Sequence, residues 1–230
     1  MELIRSSVGR KLVMAVTGLM LVGFITGHLV GNTTIFFGPE GINAYAEKLQ
    51  SLGPLLWLVR GVLLAAVVLH ILIGIQLTLE NRAARPASYR LKRHRRADIS
   101  GRTMIYTGLA TLVFIVYHLL HFTFQVTDPA IASHANLDAL GRPDVFLMVV
   151  QSFQHVSVSV VYVVAMVVVL LHISHGIQSV LQTFGLTTPT LLPRFERLST
   201  AIAVIIQVGF IFIPISIVLG LVRAAMGGSS

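Results

Sequence analysis

The sequence predicts an all-α membrane protein of five transmembrane helices, and three observations carry that expectation. Hydrophobic residues make up 55% of the 230 and charged residues only 11%, with mean hydropathy +0.83; a soluble domain is about a quarter charged. Five segments reach the ~20 apolar residues that a bilayer crossing needs: 12–33, 56–79, 103–125, 153–182 and 199–222. Each of the first four carries a histidine deep in its apolar run: His28 in LVGFITGHLVGN, His70 in LLAAVVLHILIGIQL, His118 in TLVFIVYHLLHF and His172 in VVVLLHISHGIQ. An ionisable side chain at membrane depth is costly and marks a site whose partner must be named. With short loops between the spans, residues 1–230 read as one integral-membrane domain, too small to hold a soluble catalytic domain as well.

Residues 1–11 are basic and precede the first span. A signal peptide is not expected, because the apolar run is long, contains His28 and lacks an A-x-A cleavage site. Span one is rich in glycine (Gly18, Gly23, Gly27, Gly31), which permits close approach of a backbone or a flat ligand. The next loop, GPEGINAYAEKLQSLGP, is bounded by turn signals, and INAYAEKLQSL has helical spacing suited to the membrane interface. Trp57 opens span two as an interfacial anchor. Arg60, one turn deeper, is either a snorkelling cation or a contact for a carboxylate or a polar head group.

Between spans two and three lie eight Lys/Arg residues: Arg82, Arg85, Arg90, Lys92, Arg93, Arg95, Arg96 and Arg102. Arg5, Arg10, Lys11, Arg194 and Arg197 share that side of the membrane, against Lys48, Arg60, Arg142 and Arg223 on the other. The asymmetry places the N-terminus in the cytoplasm and the C-terminus outside. The formal net charge of +8 therefore reads as topology, with the lipid bilayer and not nucleic acid as the partner. His94 in this loop and His134 in the loop before span four are expected to be solvated. Span four carries His155, His172 and His175; span five has no histidine, should kink at Pro214, and is expected to pack on the bundle instead of binding a ligand.

Helical rise pairs the histidines. His28 lies ~25 Å from the inner edge of span one, and His118 ~24 Å from that of span three. His70 and His172 each lie ~15 Å from the inner ends of their spans. Spans one and three would thus clamp an outer ligand and spans two and four an inner one, in a parallel pseudo-repeat. Gly74 and Gly176 follow the inner histidines by four, on the same helix face, leaving room for a macrocycle. The chain has no cysteine, which excludes disulfides, thiolate-held clusters and covalently attached c-type haem. Two b-type haems, each between two histidines, are the expected ligands, and the first four helices form the haem-binding bundle. The pairs His118/His121 and His172/His175 also have the H-x-x-H spacing of a metal clamp, and spacing alone does not choose within them. A metal or proton transporter is the alternative of a different class.

GHLVGN around His28, LHILIG around His70, TGLATLVFIVYHLLHF around His118 and LLHISHGIQSV around His172 together resemble the five-helix, di-haem cytochrome b membrane anchor of succinate dehydrogenase and fumarate reductase. The likeness runs from about residue 5 to 222. It implies His28 with His118 as axial ligands of a distal haem and His70 with His172 of a proximal one, choosing His118 over His121 and His172 over His175. It implies a multi-pass subunit of a prokaryotic cytoplasmic (inner) membrane, in a succinate:quinone oxidoreductase. FAD and iron–sulfur clusters would sit on flavoprotein and iron–sulfur partners at the cytoplasmic side, and electrons would pass through the haems to a membrane quinone, menaquinone above all. No dicarboxylate chemistry, and no catalytic residue, is expected in this chain alone. Tyr45, Gln50, Arg60 and His155 are the candidates for contact with a quinone or a haem propionate. An inner site near the iron–sulfur partner is equally open, though Arg10, Asp98 and His175 are too scattered to give it strong support. A di-haem cytochrome b of a hydrogenase or formate dehydrogenase is the alternative within the same chemistry.

Overall fold

The computed structural model describes residues 6–83 and 99–223, the side chains of 99–102 excepted. Among these residues seven α-helices succeed one another: α1 (Ser7–Thr33), α2 (Gly38–Gln50), α3 (Pro54–Ala83), α4 (Ile99–His118), α5 (Val145–Gln154), α6 (Val156–Thr183) and α7 (Leu192–Val218). A 3-10 turn, Thr34–Phe37, joins α1 to α2, and a π-helical turn, Leu119–Thr123, extends α4. No strand occurs among the described residues; Leu137 and Pro143 form an isolated antiparallel bridge. Five of the helices are long and apolar enough to cross a membrane, and the chain is a multi-pass membrane protein. Helices suit that solvent because every backbone donor and acceptor is satisfied within the segment. Large apolar side chains accordingly stand outward, Trp57, Val113 and Ile205 at 70–71% exposure.

By its contacts the chain falls into two compact units: Met1–Ile25 with Val59–Ala110 and Val168–Val204, and Thr26–Leu58 with Thr111–Val167 and Ile205–Ser230. In the first, Arg10 Nη2 donates to Glu80 Oε2 at 2.8 Å, and Gln76 Nε2 donates to the other carboxylate oxygen at 3.0 Å. Gln178 Nε2 likewise donates to Glu196 at 3.2 Å. In the second, Ile35, Ile42, Phe146, Val150, Phe153 and Tyr162 belong to one buried apolar cluster.

The ends of the helices obey local chemistry. Pro39 sits in the first turn of α2, where its missing N–H costs nothing. Asp144 caps α5 by accepting from Leu147 N at 2.9 Å. Gly185 and Gly220, at φ 70° and 71°, close α6 and α7. In each, the next residue's N–H reaches back five residues, Leu186 to Leu181 O at 3.0 Å and Leu221 to Ser216 O at 2.8 Å, the arrangement that a left-handed glycine permits. Pro214 lies inside α7 without ending it.

The spans differ from the predicted ones mainly at their ends. α1 starts five residues before the predicted 12, and α7 starts at Leu192, seven before the predicted 199. The predicted fourth span, 153–182, is cut at its start: His155 is extended (φ −73°, ψ 104°) and separates α5 from α6. Ser159 holds the corner, its hydroxyl donating to Phe153 O at 2.6 Å and its N–H to His155 O at 3.1 Å. A hydroxyl that satisfies a carbonyl in the last turn of one helix lets the next begin without a loop. Of the basic stretch between spans two and three, Arg82 lies in the last turn of α3. His94, Asp98 and the six Lys/Arg from Arg85 to Arg96 lie outside the described residues.

Arg142 and Asn43 organise one polar end of the second unit. Arg142 donates from Nε to Asp138 Oδ2 at 2.8 Å and from both terminal nitrogens to Glu40, at 3.2 and 2.7 Å. Asn43, 1% exposed, donates to Asp138 and Asp144 at 3.2 and 3.1 Å and accepts from Phe146 N at 2.9 Å. It thereby ties α2 to the start of α5. Burial pushes the Asp138 carboxyl up, but hydrogen bonds from Arg142, Asn43 and Leu140 N outweigh it and hold the carboxyl down at about 2.

Asn43→Ala strands the buried Phe146 N–H and should cost about 1–3 kcal/mol, read as a lowered unfolding midpoint of the purified protein in detergent. Because the folded pKa of Asp138 is depressed, its contribution is present above the ordinary carboxylate pKa and lost as pH falls towards 2. The difference in midpoint between wild type and Asp138→Asn should shrink steadily from pH 5 to pH 2. A difference that is flat with pH would show that the carboxylate is not what holds this corner.

Candidate functional site

Within the first unit α1, α3, α4 and α6 bring His70 and His172 opposite each other, their ring centres 6.3 Å apart and their planes at 73°. Each ring is pinned in the same way. Thr17 Oγ1 lies 3.2 Å from His70 Nδ1, and Thr107 Oγ1 lies 3.3 Å from His172 Nδ1. The backbones of Met14 and Met104 are further hydrogen-bond partners of His70 and His172. The Thr17 hydroxyl donates to the carbonyls of Val13 and Met14, at 2.8 and 3.2 Å, and the Thr107 hydroxyl to that of Met104 at 3.0 Å. With its hydrogen so committed, each hydroxyl can only accept from the imidazole. Nδ1 therefore carries the ring proton, and Nε2 is left with its lone pair, the form in which a neutral histidine binds a metal.

Glycines make room for this geometry. A Cβ on Gly18 would stand 3.3 Å from His70 Cε1, and one on Gly108 would stand 3.1 Å from His172 Cε1. Those distances are tighter than ordinary van der Waals contact, so a side chain at either position would press on the ring. Gly74 and Gly176, one turn beyond the histidines, face the methyl ends of Met14 and Met104. The two halves thus repeat: Met14, Thr17 and Gly18 serve His70 as Met104, Thr107 and Gly108 serve His172.

Within the second unit His28 and His118 approach with ring centres 5.8 Å apart and planes at 85°. Their surroundings are unlike. Asn32 donates to His28 O at 2.8 Å and holds its amide nitrogen 3.3 Å from His28 Nε2 and 3.4 Å from Nδ1. Phe210 of α7 lies with its ring centre 5.8 Å from that of His28. His118 is surrounded by Phe114, Phe122 and Tyr162, with ring centres 5.7–6.1 Å away. The Tyr162 Oη lies 3.5 Å from His118 Nδ1.

His121 does not face His28. It is 6% exposed, with Nδ1 at 2.9 Å from Tyr162 Oη and Nε2 at 3.1 Å from Ser152 Oγ. His175 is half-buried on α6, and His134 is exposed, 2.8 Å from Gln125 Oε1. Among the described residues no group of three or more His, Asp or Glu side chains could hold a metal ion. What the structure assembles is opposed pairs of imidazoles.

The remaining candidates are spread out. Tyr45 packs its phenol ring against Gly31, where any side chain would collide with it. Gln50 is exposed at the end of α2, and His155 is exposed at the α5–α6 corner. Tyr45, Gln50 and His155 make no described contact with one another. Arg60 is exposed on α3 and belongs to the other unit.

Thr17, Gly18, Thr107, Gly108, Tyr162, Ser152 and Phe210 were not among the site residues expected from sequence, although Gly18 is one of the span-one glycines expected to permit close approach. One signal for the first four is present in it: MAVTGL at 14–19 recurs as MIYTGL at 104–109, and in each copy a histidine comes after the threonine at a similar remove, on another helix. Phe210 is the residue by which span five packs on the bundle, its ring against His28.

No curated protein and no solved structure matches the chain significantly. Residues 78–215 match the family model described as the succinate dehydrogenase/fumarate reductase transmembrane subunit. That stretch includes His118 and His172, and the repeated Met-x-x-Thr-Gly element relates the segment before it to the matched one. With more than half of its length matched and five membrane-crossing helices, the chain belongs to the succinate dehydrogenase/fumarate reductase transmembrane subunit family.

Proposed function

We propose that this chain is the di-haem cytochrome b anchor of a succinate:quinone oxidoreductase, holding one b haem between His28 and His118 and a second between His70 and His172. The facing pairs carry the proposal. Two imidazoles on opposite sides of one first-row metal, each nitrogen ~2 Å from it, put their ring centres roughly 6 Å apart. The separations here are 5.8 and 6.3 Å. Among the described residues each pair offers two imidazoles and no third ligand, so a metal held there would need its remaining ligands from a group such as a porphyrin. When bound, such groups supply one-electron carriage between an iron–sulfur partner and membrane quinone.

The chain's own residues do the rest. Thr17 and Thr107 hold the Nδ1 protons and so present Nε2 to the metal. Gly18 and Gly108 keep the rings from being displaced. The apolar helices exclude water from both pairs, and the exposed apolar faces of α1, α3, α4, α6 and α7 hold the subunit in lipid. The charge asymmetry favours a cytoplasmic N-terminus in a prokaryotic inner membrane, with flavoprotein and iron–sulfur subunits docking on the basic side. The quinone, of the menaquinone class, would meet the chain at its membrane edge, where Tyr45, Gln50, Arg60 and His155 stay the candidates.

The purified complex should contain two haems per copy of this chain, with the low-spin spectrum of bis-histidine iron. His70→Ala should remove one of them and leave the His28/His118 haem. Two bis-histidine haems surviving in that variant would overturn the ligand assignment, and a colourless wild-type complex would overturn the haem reading. Gly108→Val, which drives a branched side chain against His172, should lower haem content at the same centre, taking the total from two haems per chain towards one. Gly61→Ala should leave it unchanged, because a Cβ there meets nothing within 4 Å.

A further inference from the structure

We infer that Tyr162 is the positioning residue for the His118 ring and that it, His121 and Ser152 form a hydrogen-bonded chain that tunes the metal centre at His28/His118. The inference rests on the haem reading above and extends it to three residues that do not touch the metal.

Hydrogen-bond direction builds the chain. Tyr162 Oη faces His118 at Nδ1, so Nε2 is the nitrogen left to bind iron. With Nε2 a ligand, Nδ1 must carry the proton, and it donates to Tyr162 Oη across 3.5 Å, the longest link. A phenol oxygen that accepts one bond still has its own hydrogen to give. Its near neighbour is His121 Nδ1 at 2.9 Å, which must then be the unprotonated nitrogen of that ring. The His121 proton is thereby fixed on Nε2, where it donates to Ser152 Oγ at 3.1 Å. Choosing the metal-binding atom of His118 thus sets every proton along the row. Tyr162, His121 and Ser152 are all 6% exposed or less, so water does not compete for these bonds.

The other centre is held differently among the described contacts. There the Nδ1 partners are Thr17 and Thr107, whose hydrogens end on carbonyls of their own helices. Linked hydrogen bonds polarise one another, and a stronger acceptor on the far nitrogen makes an imidazole a better donor to its metal. Tyr162 with His121 behind it should therefore favour ferric over ferrous iron at His28/His118.

The test is a redox titration of the intact complex, monitored by haem absorbance and by the low-spin ferric resonance signals. In Tyr162→Phe the His28/His118 haem should rise in potential by the equivalent of about tenfold in its oxidised-to-reduced ratio, ~59 mV for one electron, with a shifted resonance signal. His121→Leu, which leaves Tyr162 in place, should move the same haem in the same direction by less. Thr17→Val should move only the other haem. The inference is overturned if the His28/His118 haem keeps its wild-type potential in Tyr162→Phe, or shifts no more than the other haem does. Should Tyr162→Phe lose that haem, an unchanged potential in His121→Leu overturns it instead. A wild-type complex lacking two bis-histidine haems would be a failure of the proposed function, seen before any variant is made.

Discussion

The arrangement depends on where one proton sits on each of the paired, half-buried imidazoles. Apolar helices in lipid offer a side chain few partners beyond neighbouring backbone and the occasional hydroxyl. Thr17 and Thr107 use their own hydrogens on helix carbonyls, and so they can only receive one from the histidine across the helix interface. That fixes the tautomer. A ring free to carry its proton on either nitrogen would bind metal only part of the time and with no set orientation. Here the lone pair, the ring plane and the distance to the opposing imidazole are set together by a threonine and the glycine beside it.

The same logic explains why the His70/His172 pair is built from so few residue types. A hydroxyl next to a glycine is compact, apolar enough for a membrane helix and already satisfied by its own backbone. Replacing either member changes a different thing: the glycine governs where the ring can lie, and the threonine governs which nitrogen is offered. The repetition of the pair at 17–18 and 107–108 places two equivalent devices on α1 and α4. The His28/His118 centre departs from that plan, drawing on an asparagine, a tyrosine and several aromatic rings. Its polar contacts come from Asn32 on α1 and Tyr162 on α6, and α7 adds Phe210.

Much of the fold could be read from the sequence because lipid imposes a length requirement that any apolar run either meets or does not. The five spans and the deep histidines emerge from that requirement alone. The corner at His155 could not be read in the same way. Val145 to Leu171 is largely apolar, and the break within it depends on one serine hydroxyl finding a carbonyl six residues back. Pairing the histidines by depth was within reach because helical rise is regular. Tyr162 and Ser152 were hidden for the opposite reason: a single polar group in an apolar run has no register to give it away. It acquires meaning only when its partner from another helix is placed beside it. Span five shows the same limit, since nothing about Phe210 in isolation distinguishes it from the chain's other phenylalanines.

His121 shows how one residue type can serve different ends within a single span. It lies three residues after His118, close enough for sequence spacing to suggest two ligands of one metal. In the structure its two nitrogens are both committed to oxygen, to Tyr162 and to Ser152. The π-helical turn at Leu119–Thr123 begins immediately after His118 and contains His121. Such a turn inserts an extra residue and so rotates the downstream side chains relative to the upstream ones. That local change in winding separates the two histidines by direction and not by distance, so that one faces His28 and the other faces α5 and α6. The H-x-x-H spacing is therefore no guide to a shared metal here, because the helix does not keep its regular pitch across it.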